Sequence, residues 1–165
     1  TAEIAIHASL TGHLVFSTLH TNDAASAATR LVDMGVEPFL VATSLIGVLA
    51  QRLVRTLCPA CKVPYHPPRE VLEQLGLAPG QATGLFREEG CSRCRQMGYQ
   101  GRIGIYELLV PNERIRELIA QKVQAGVIKD EAIRNGLVTL RQDGLEKVKR
   151  GLSSFAEVLR VTEEG

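Results

Sequence analysis

Cys58-Pro-Ala-Cys61 and Cys91-Ser-Arg-Cys94 are two C-x-x-C knuckles separated by the segment from Lys62 to Gly90. Two such pairs present four thiolates to one tetrahedral ion, so the spacing predicts a single S₄ site that draws Cys58, Cys61, Cys91 and Cys94 within a few ångströms of one another. Zinc is the expected metal, and iron suits the same cage. A pair of disulfides is the competing framework, but nothing resembling a signal peptide opens the chain and the knuckle spacing fits such a framework poorly. Four thiolates saturate a tetrahedron and leave no position for an activated water, so the zinc is expected to be structural. Between the knuckles, Tyr65-His-Pro-Pro68 breaks regular structure, residues 69–77 suit a short helix, and Ala78-Pro-Gly80 breaks it again. An insert of this size does not bury a core of its own without the metal.

The rest of the chain is rich enough in apolar residues, 45% of 165, for one good core or a partial domain with a small appendage. Its 19 basic and 18 acidic residues leave a net charge of +1, which argues against a polyelectrolyte field for gripping nucleic acid. The longest apolar stretch, Phe39 to Ala50, is interrupted by Thr43 and Ser44 and is too short to cross a bilayer. Thiolates kept for metal point to a reducing, cytoplasmic location.

Periodicity predicts an α/β layer. Thr1 to Leu10 reads as a helix already under way, as in a piece of a longer protein. Gly12 ends it, and His13-Leu-Val-Phe-Ser-Thr-Leu19 has the content of a buried strand. Asn22 or Asp23 caps a second helix whose Ala24, Ala27, Ala28, Leu31 and Val32 share one face, and Gly35 stops it. A further apolar helix is expected from about Pro38 to Ala50, then a strand over 52–57 leading to the first knuckle. Residues 102–109 read as a strand closed by Pro111. The remainder is helical, with Ile115, Leu118 and Ile119 on one face, Leu145, Val148 and Leu152 on another, and Ser154-x-x-Glu157 opening a last helix as a capping box. Arg52 and Arg55, three apart in a strand, point to opposite faces.

Four segments carry a resemblance that spans nearly the whole chain: Thr11-Gly-His-Leu-Val-Phe-Ser-Thr-Leu-His-Thr-Asn-Asp23, Gln51-Arg-Leu-Val-Arg-Thr-Leu-Cys-Pro-Ala-Cys61, Gly98-Tyr-Gln-Gly-Arg-Ile-Gly-Ile-Tyr-Glu107 and Asp143-Gly-Leu-Glu-Lys-Val148. In order, spacing and tetracysteine insert they resemble the C-terminal part of the ATPases that drive type II secretion and type IV pilus assembly. The resemblance implies a partial RecA-like ATPase core with a zinc-binding insert and a C-terminal helical subdomain. Residues 1–57 would be the distal part of that core, 58–97 the tetracysteine zinc subdomain, and 98–165 the return strand and helical subdomain.

The resemblance further implies that residues 11–23 are the family's histidine box, with His13 and His20 near the nucleotide phosphates. A strand-end imidazole can supply a hydrogen bond to developing charge in phosphoryl transfer. An imidazole flanking a strand serves as readily as a satisfied core or capping residue, an alternative that weighs more for His13 than for His20. Arg102, between Gly101 and Gly104, matches a position close to the nucleotide, where a guanidinium pairs with phosphate. A solvated arginine before a strand is the plainer reading.

As the resemblance implies, the whole protein would be a cytoplasmic homo-hexamer using ATP and Mg²⁺, peripheral to the inner membrane through its platform proteins. No Gly-x-x-x-x-Gly-Lys-Ser/Thr occurs in these residues, and the acidic Walker B segment would lie just before Thr1, so this stretch alone is expected neither to bind ATP tightly nor to hydrolyse it. Two other readings stand beside this one. Arg87, Arg93, Arg95 and Arg102 around the second knuckle are compatible with a zinc ribbon that binds nucleic acid, although Glu88 and Glu89 dilute the charge and only Phe86 and Tyr99 are at hand for stacking. A stand-alone interaction module unconnected with ATP is the other.

Overall fold

The computed structural model describes residues 1–78 and 84–163; the expected helix breaker at 79–80 lies outside them. The chain divides into two compact units: Thr1–Ala50 with Tyr106–Thr139, and Gln51–Ile105 with the chain from Leu140 onward. Strands β1 (Val48–Leu57) and β4 (Tyr99–Leu109) pair with each other, and each strand runs through both units.

The first unit is built on helices α1 (Ala2–Leu10), α2 (Ala24–Asp33), α3 (Pro38–Ser44), α5 (Glu113–Ala120) and α6 (Ala125–Arg134). Its core gathers Ala24, Ala25, Ala28, Leu31, Val41, Leu109, Ile115, Leu118, Ile119 and Ile128. The small alanine face of α2 lets neighbouring elements approach closely. Asp23 caps α2 by accepting from the Ser26 N–H at 2.9 Å, and Asn112 caps α5 through the Ile115 N–H at 2.8 Å. Each cap satisfies a donor that the first turn leaves without an intrahelical partner. Gly35, at φ +93°, supplies the left-handed turn after α2.

The second unit contains the knuckles, strands β2 (Val63–Pro64) and β3 (Phe86–Arg87), helix α4 (Arg69–Leu75), a 3₁₀ turn over Ser92–Cys94, and helices α7 (Leu140–Lys149) and α8 (Phe155–Thr162). β2 and β3 pair antiparallel, Val63 opposite Arg87 and Pro64 opposite Phe86. Helices α7 and α8 touch where Gly144 faces Val158: a Cβ built on Gly144 would come within 2.5 Å of Val158 Cγ1. Ser154 caps α8 by accepting from the Glu157 N–H. The Glu157 carboxylate is taken by Arg55 and Arg160.

Three expectations are corrected. Residues 13–19 do not form a buried strand: the segment is extended and exposed, with Phe16 88% and Leu14 68% accessible. β-Branched and apolar content makes a strand only when a neighbour supplies the ladder, and among the described residues β1 and β4 pair with each other and β2 with β3. The apolar helix expected to reach Ala50 ends at Ser44, and Val48 already belongs to β1. A Cβ on Gly47 would lie 3.4 Å from the Leu109 carbonyl oxygen, and the pairing of β1 with β4 takes up residues that helical periodicity assigned to α3. The strands also start earlier than expected, β1 at Val48 and β4 at Tyr99.

Candidate metal centre and histidine segment

Each knuckle is a tight turn. After Leu57 the chain bends so that Cys61 and Lys62 both donate their N–H to the Cys58 carbonyl, at 3.2 and 3.0 Å. Cys94 and Gln96 donate to the Cys91 carbonyl in the same way, at 3.2 and 2.9 Å. The second turn is held by two residues in the left-handed region, Arg95 (φ +53°) and Gln96 (φ +63°). The Cys58 N–H donates to the Gly98 carbonyl at 2.9 Å, tying the two knuckles together.

All four sulfurs lie within 4.8 Å of one another. Cys58 is 4.0 Å from Cys91, Cys61 is 3.8 Å from Cys94, and Cys91 is 3.8 Å from Cys94. A tetrahedron with metal–sulfur bonds of about 2.3 Å has edges of about 3.8 Å, which these three separations approach. They are far too long for sulfur–sulfur bonds, and all four thiols are unbridged. The four cysteines are therefore positioned to hold one metal ion with no coordination site left over.

Outer contacts favour thiolate. Cys94 Sγ accepts the N–H of Cys91 and of Gly98, both at 3.2 Å. Burial pushes the Cys94 thiol up, but these N–H donors and the neighbouring thiols outweigh it and bring it down to about 6. Burial and the adjoining thiols together push Cys61 up to about 12, so without a metal the cluster retains protons that an ion would displace. Gly98 makes the close approach possible: at φ +74°, a Cβ there would fall 2.5 Å from Glu88 Cβ.

The knuckles are anchored within their own unit. Lys62 Nζ donates to the Gly151 carbonyl at 2.9 Å and lies 4.4 Å above the Phe86 ring. Leu57 N–H donates to the Leu152 carbonyl at 2.9 Å. Of the aromatics beside Arg87, Arg93 and Arg95, Tyr99 is buried under the Arg55 guanidinium, 4.1 Å from the ring centre, and Phe86 has Lys62 over it. One face of each ring is thus occupied by a cation.

His13 and His20 both lie on the exposed segment of the first unit. His13 Nδ1 sits 3.2 Å from the Ala8 carbonyl and 3.1 Å from Thr11 Oγ1, which turns its ring back to the end of α1. Four residues beyond His20, helix α2 begins, and its start is pinned by two side chains. Asp23 Oδ2 receives Lys129 Nζ at 2.7 Å, and Glu107 Oε1 receives the Ala24 N–H at 2.9 Å. Burial raises the Asp23 carboxyl, but bonds from Lys129 and Ser26 outweigh it and hold it below the usual range. Arg102 is exposed in β4 beside Gly101 (φ +81°) and belongs to the second unit, whereas the histidines belong to the first. Glu107, only 1% accessible, is the residue that sequence reasoning passed over. Its one signal was an acidic residue at a core-facing position of β4, between Ile105 and Leu109.

Residues 1–160 match the family model described as Type II/IV secretion system protein. The chain is 53% identical over 99% of its length to type II secretion system protein E of Pseudomonas aeruginosa, covering 32% of that protein. It is 51% identical over 99% of its length to type II secretion system ATPase E of Vibrio cholerae, again 32% of that protein. It is 52% identical over 99% of its length to type IV pilus assembly ATPase PilB of Thermus thermophilus, of which it covers 19%. The chain thus spans about a third or less of these relatives. Its mixed helix-and-sheet fold resembles the crystal structure of the pilus retraction motor PilT with bound ADP, at TM-score 0.61 and 24% identity, over 96% of this chain and 35% of that one. The chain belongs to the Type II/IV secretion system protein family.

Proposed function

We propose that this chain is the C-terminal portion of a hexameric cytoplasmic ATPase that powers pseudopilus or type IV pilus assembly for protein secretion. Identity above 50% across 99% of the chain to proteins named as secretion and pilus-assembly ATPases is the observation that carries the reading. Residues 1–57 would be the distal part of the ATPase core, 58–97 the zinc subdomain, and 98–165 the return strand and helical subdomain. ATP and Mg²⁺ would be bound chiefly by residues preceding those of this chain, which contains no phosphate-binding loop of its own.

In this assignment His20 and His13 act toward the nucleotide phosphates and Arg102 contributes to nucleotide binding. An exposed imidazole on an extended segment is able to reach a phosphate and donate a hydrogen bond to charge that develops there. Zinc on Cys58, Cys61, Cys91 and Cys94 would cross-link the knuckles and supply no reactive chemistry, because its coordination is complete. The stiffened insert would present a contact surface to inner-membrane platform proteins or to a neighbouring subunit, placing the enzyme at the inner membrane through partners. Among the described residues no helix is long and apolar enough to cross a membrane.

The decisive experiment compares the full-length protein with the 165-residue chain. The full-length protein should hydrolyse ATP as a hexamer and the chain alone should not, and His20→Ala in the full-length protein should lower kcat at least about tenfold. ATP hydrolysis by the isolated chain, or an unaltered His20→Ala enzyme, would contradict this assignment.

A further inference from the structure

We propose that Glu107 is a positioning residue for the His20 segment, fixing where the imidazole is delivered by clamping the start of α2. The proposal rests on the reading of His20 as a phosphate-facing group. Residues 11–20 are exposed throughout and carry no regular structure after Thr11-Gly12, so the direction of His20 is set at the two exits of the segment. Upstream, Thr11 Oγ1 donates to the Ala8 carbonyl at 2.8 Å and His13 approaches the same oxygen. Downstream, the Ala24 N–H donates to Glu107 Oε1 across a sequence separation of 83 residues.

That downstream contact is costly to build. Glu107 is 1% accessible and Ala24 is fully buried, so a carboxylate has been placed where an apolar side chain like that of Leu109 would fill the same layer. A first-turn N–H needs only water as a partner when a helix starts at the surface. A buried carboxyl oxygen that accepts the first N–H of the helix instead fixes the height and direction of that start against β4. Asp23, held by Lys129, fixes the residue before it. His20 lies four positions upstream of Ala24, and a displacement of about 1 Å in a catalytic group costs about a hundredfold in rate. Glu107 thus acts on the reaction through His20 without touching the nucleotide.

The test is a double-mutant cycle in the full-length protein, measuring kcat and KM for ATP with thermal unfolding as a control. His20→Ala tests the underlying assignment by itself: if it leaves kcat unchanged, that assignment fails whatever Glu107 does. Given a loss in His20→Ala, Glu107→Ala should lower kcat about tenfold with KM within about twofold, and the double variant should be no slower than His20→Ala. Glu107→Gln, which keeps an acceptor oxygen in the same place, should recover most of the rate. A Glu107→Ala enzyme with wild-type kcat, or losses that multiply in the double variant, overturns the proposal. If Glu107→Ala does not fold, the cycle is run with Glu107→Asp, whose shorter side chain withdraws the acceptor from the Ala24 N–H, and wild-type kcat or a multiplicative loss overturns the proposal equally.

Discussion

Glu157 Oε2 lies 2.6 Å from Arg55 Nη2, with the Glu157 side chain wholly inaccessible and the Arg55 side chain 45% accessible. The other oxygen accepts the Arg55 backbone N–H at 3.0 Å, and Arg160 reaches both oxygens at 2.9 Å. Arg55 also covers Tyr99, whose hydroxyl is 2.6 Å from Ser154 Oγ, the cap of α8. One carboxylate therefore joins β1, β4 and α8 within the second unit. Its lone pairs are well supplied with donors, which is the condition for a buried charge to be tolerated.

That carboxylate should make stability acid-sensitive. Burial would raise its pKa, but hydrogen bonds from Arg160 and Arg55 outweigh burial and bring it from 4.5 to about 2. Because the folded value is below the unfolded one, the contribution is complete above about pH 4.5 and is lost as pH falls toward 2. Denaturant midpoints followed from pH 6 to pH 3 should fall, and Glu157→Gln should flatten the fall. Near neutral pH the same variant should cost about 1–3 kcal/mol, at the modest end for a buried ion pair because Arg55 still reaches water. An acid profile identical in the two proteins would remove Glu157 from the account.

Metal content should be one ion per chain, and elemental analysis of reduced protein should identify it as zinc. Cys58→Ser or Cys94→Ser should abolish tight binding, and chelation should raise amide hydrogen exchange through residues 58–98 while α2, α5 and α6 keep their protection. Uniform exchange with and without chelator would mean that the knuckles stand without a metal.

Gly98→Ala should weaken metal binding with all four ligands intact. A methyl group at φ +74° and 2.5 Å from Glu88 Cβ forces the backbone to move, and the Gly98 N–H that Cys94 accepts moves with it. A loss of about 10–100-fold in metal affinity, read by competition with a chromogenic chelator, is expected for a displaced outer contact. Unchanged affinity would show that this N–H does not tune the site.

Asp23→Ala should destabilise the first unit by about 1–2 kcal/mol, since it removes the α2 cap and leaves Lys129 without that carboxylate. Lys129→Met should cost less, because Lys129 is only partly buried and a half-exposed ion pair contributes about 1 kcal/mol or less. Urea midpoints of the two variants give the comparison, and an equal loss would mean that the ion pair matters as much as the cap.

The caps at Asp23 and Ser154 and the knuckles were legible because their rules are local: each cap acts on an N–H group three residues away, and each C-x-x-C turn is closed by its own backbone. Residues 13–19 were misread because strand content says nothing about whether an edge is present to pair with. Residues 45–50 were misread because β1 pairs with β4, a partner with no trace in the neighbouring sequence. Glu107 was not assigned to Ala24, nor Glu157 to Arg55, for a similar reason: these partners lie 83 and 102 positions away.

The order of residues alone thus determined that four thiolates would meet, since one ion can demand closure over any length of intervening chain, and it determined where the capped helices α2 and α8 begin. Only tertiary structure decided which carboxylates are buried and what they grip. Those choices depend on which distant backbone donors the packing leaves without water, and a buried donor has to find its acceptor wherever in the chain one happens to fold against it.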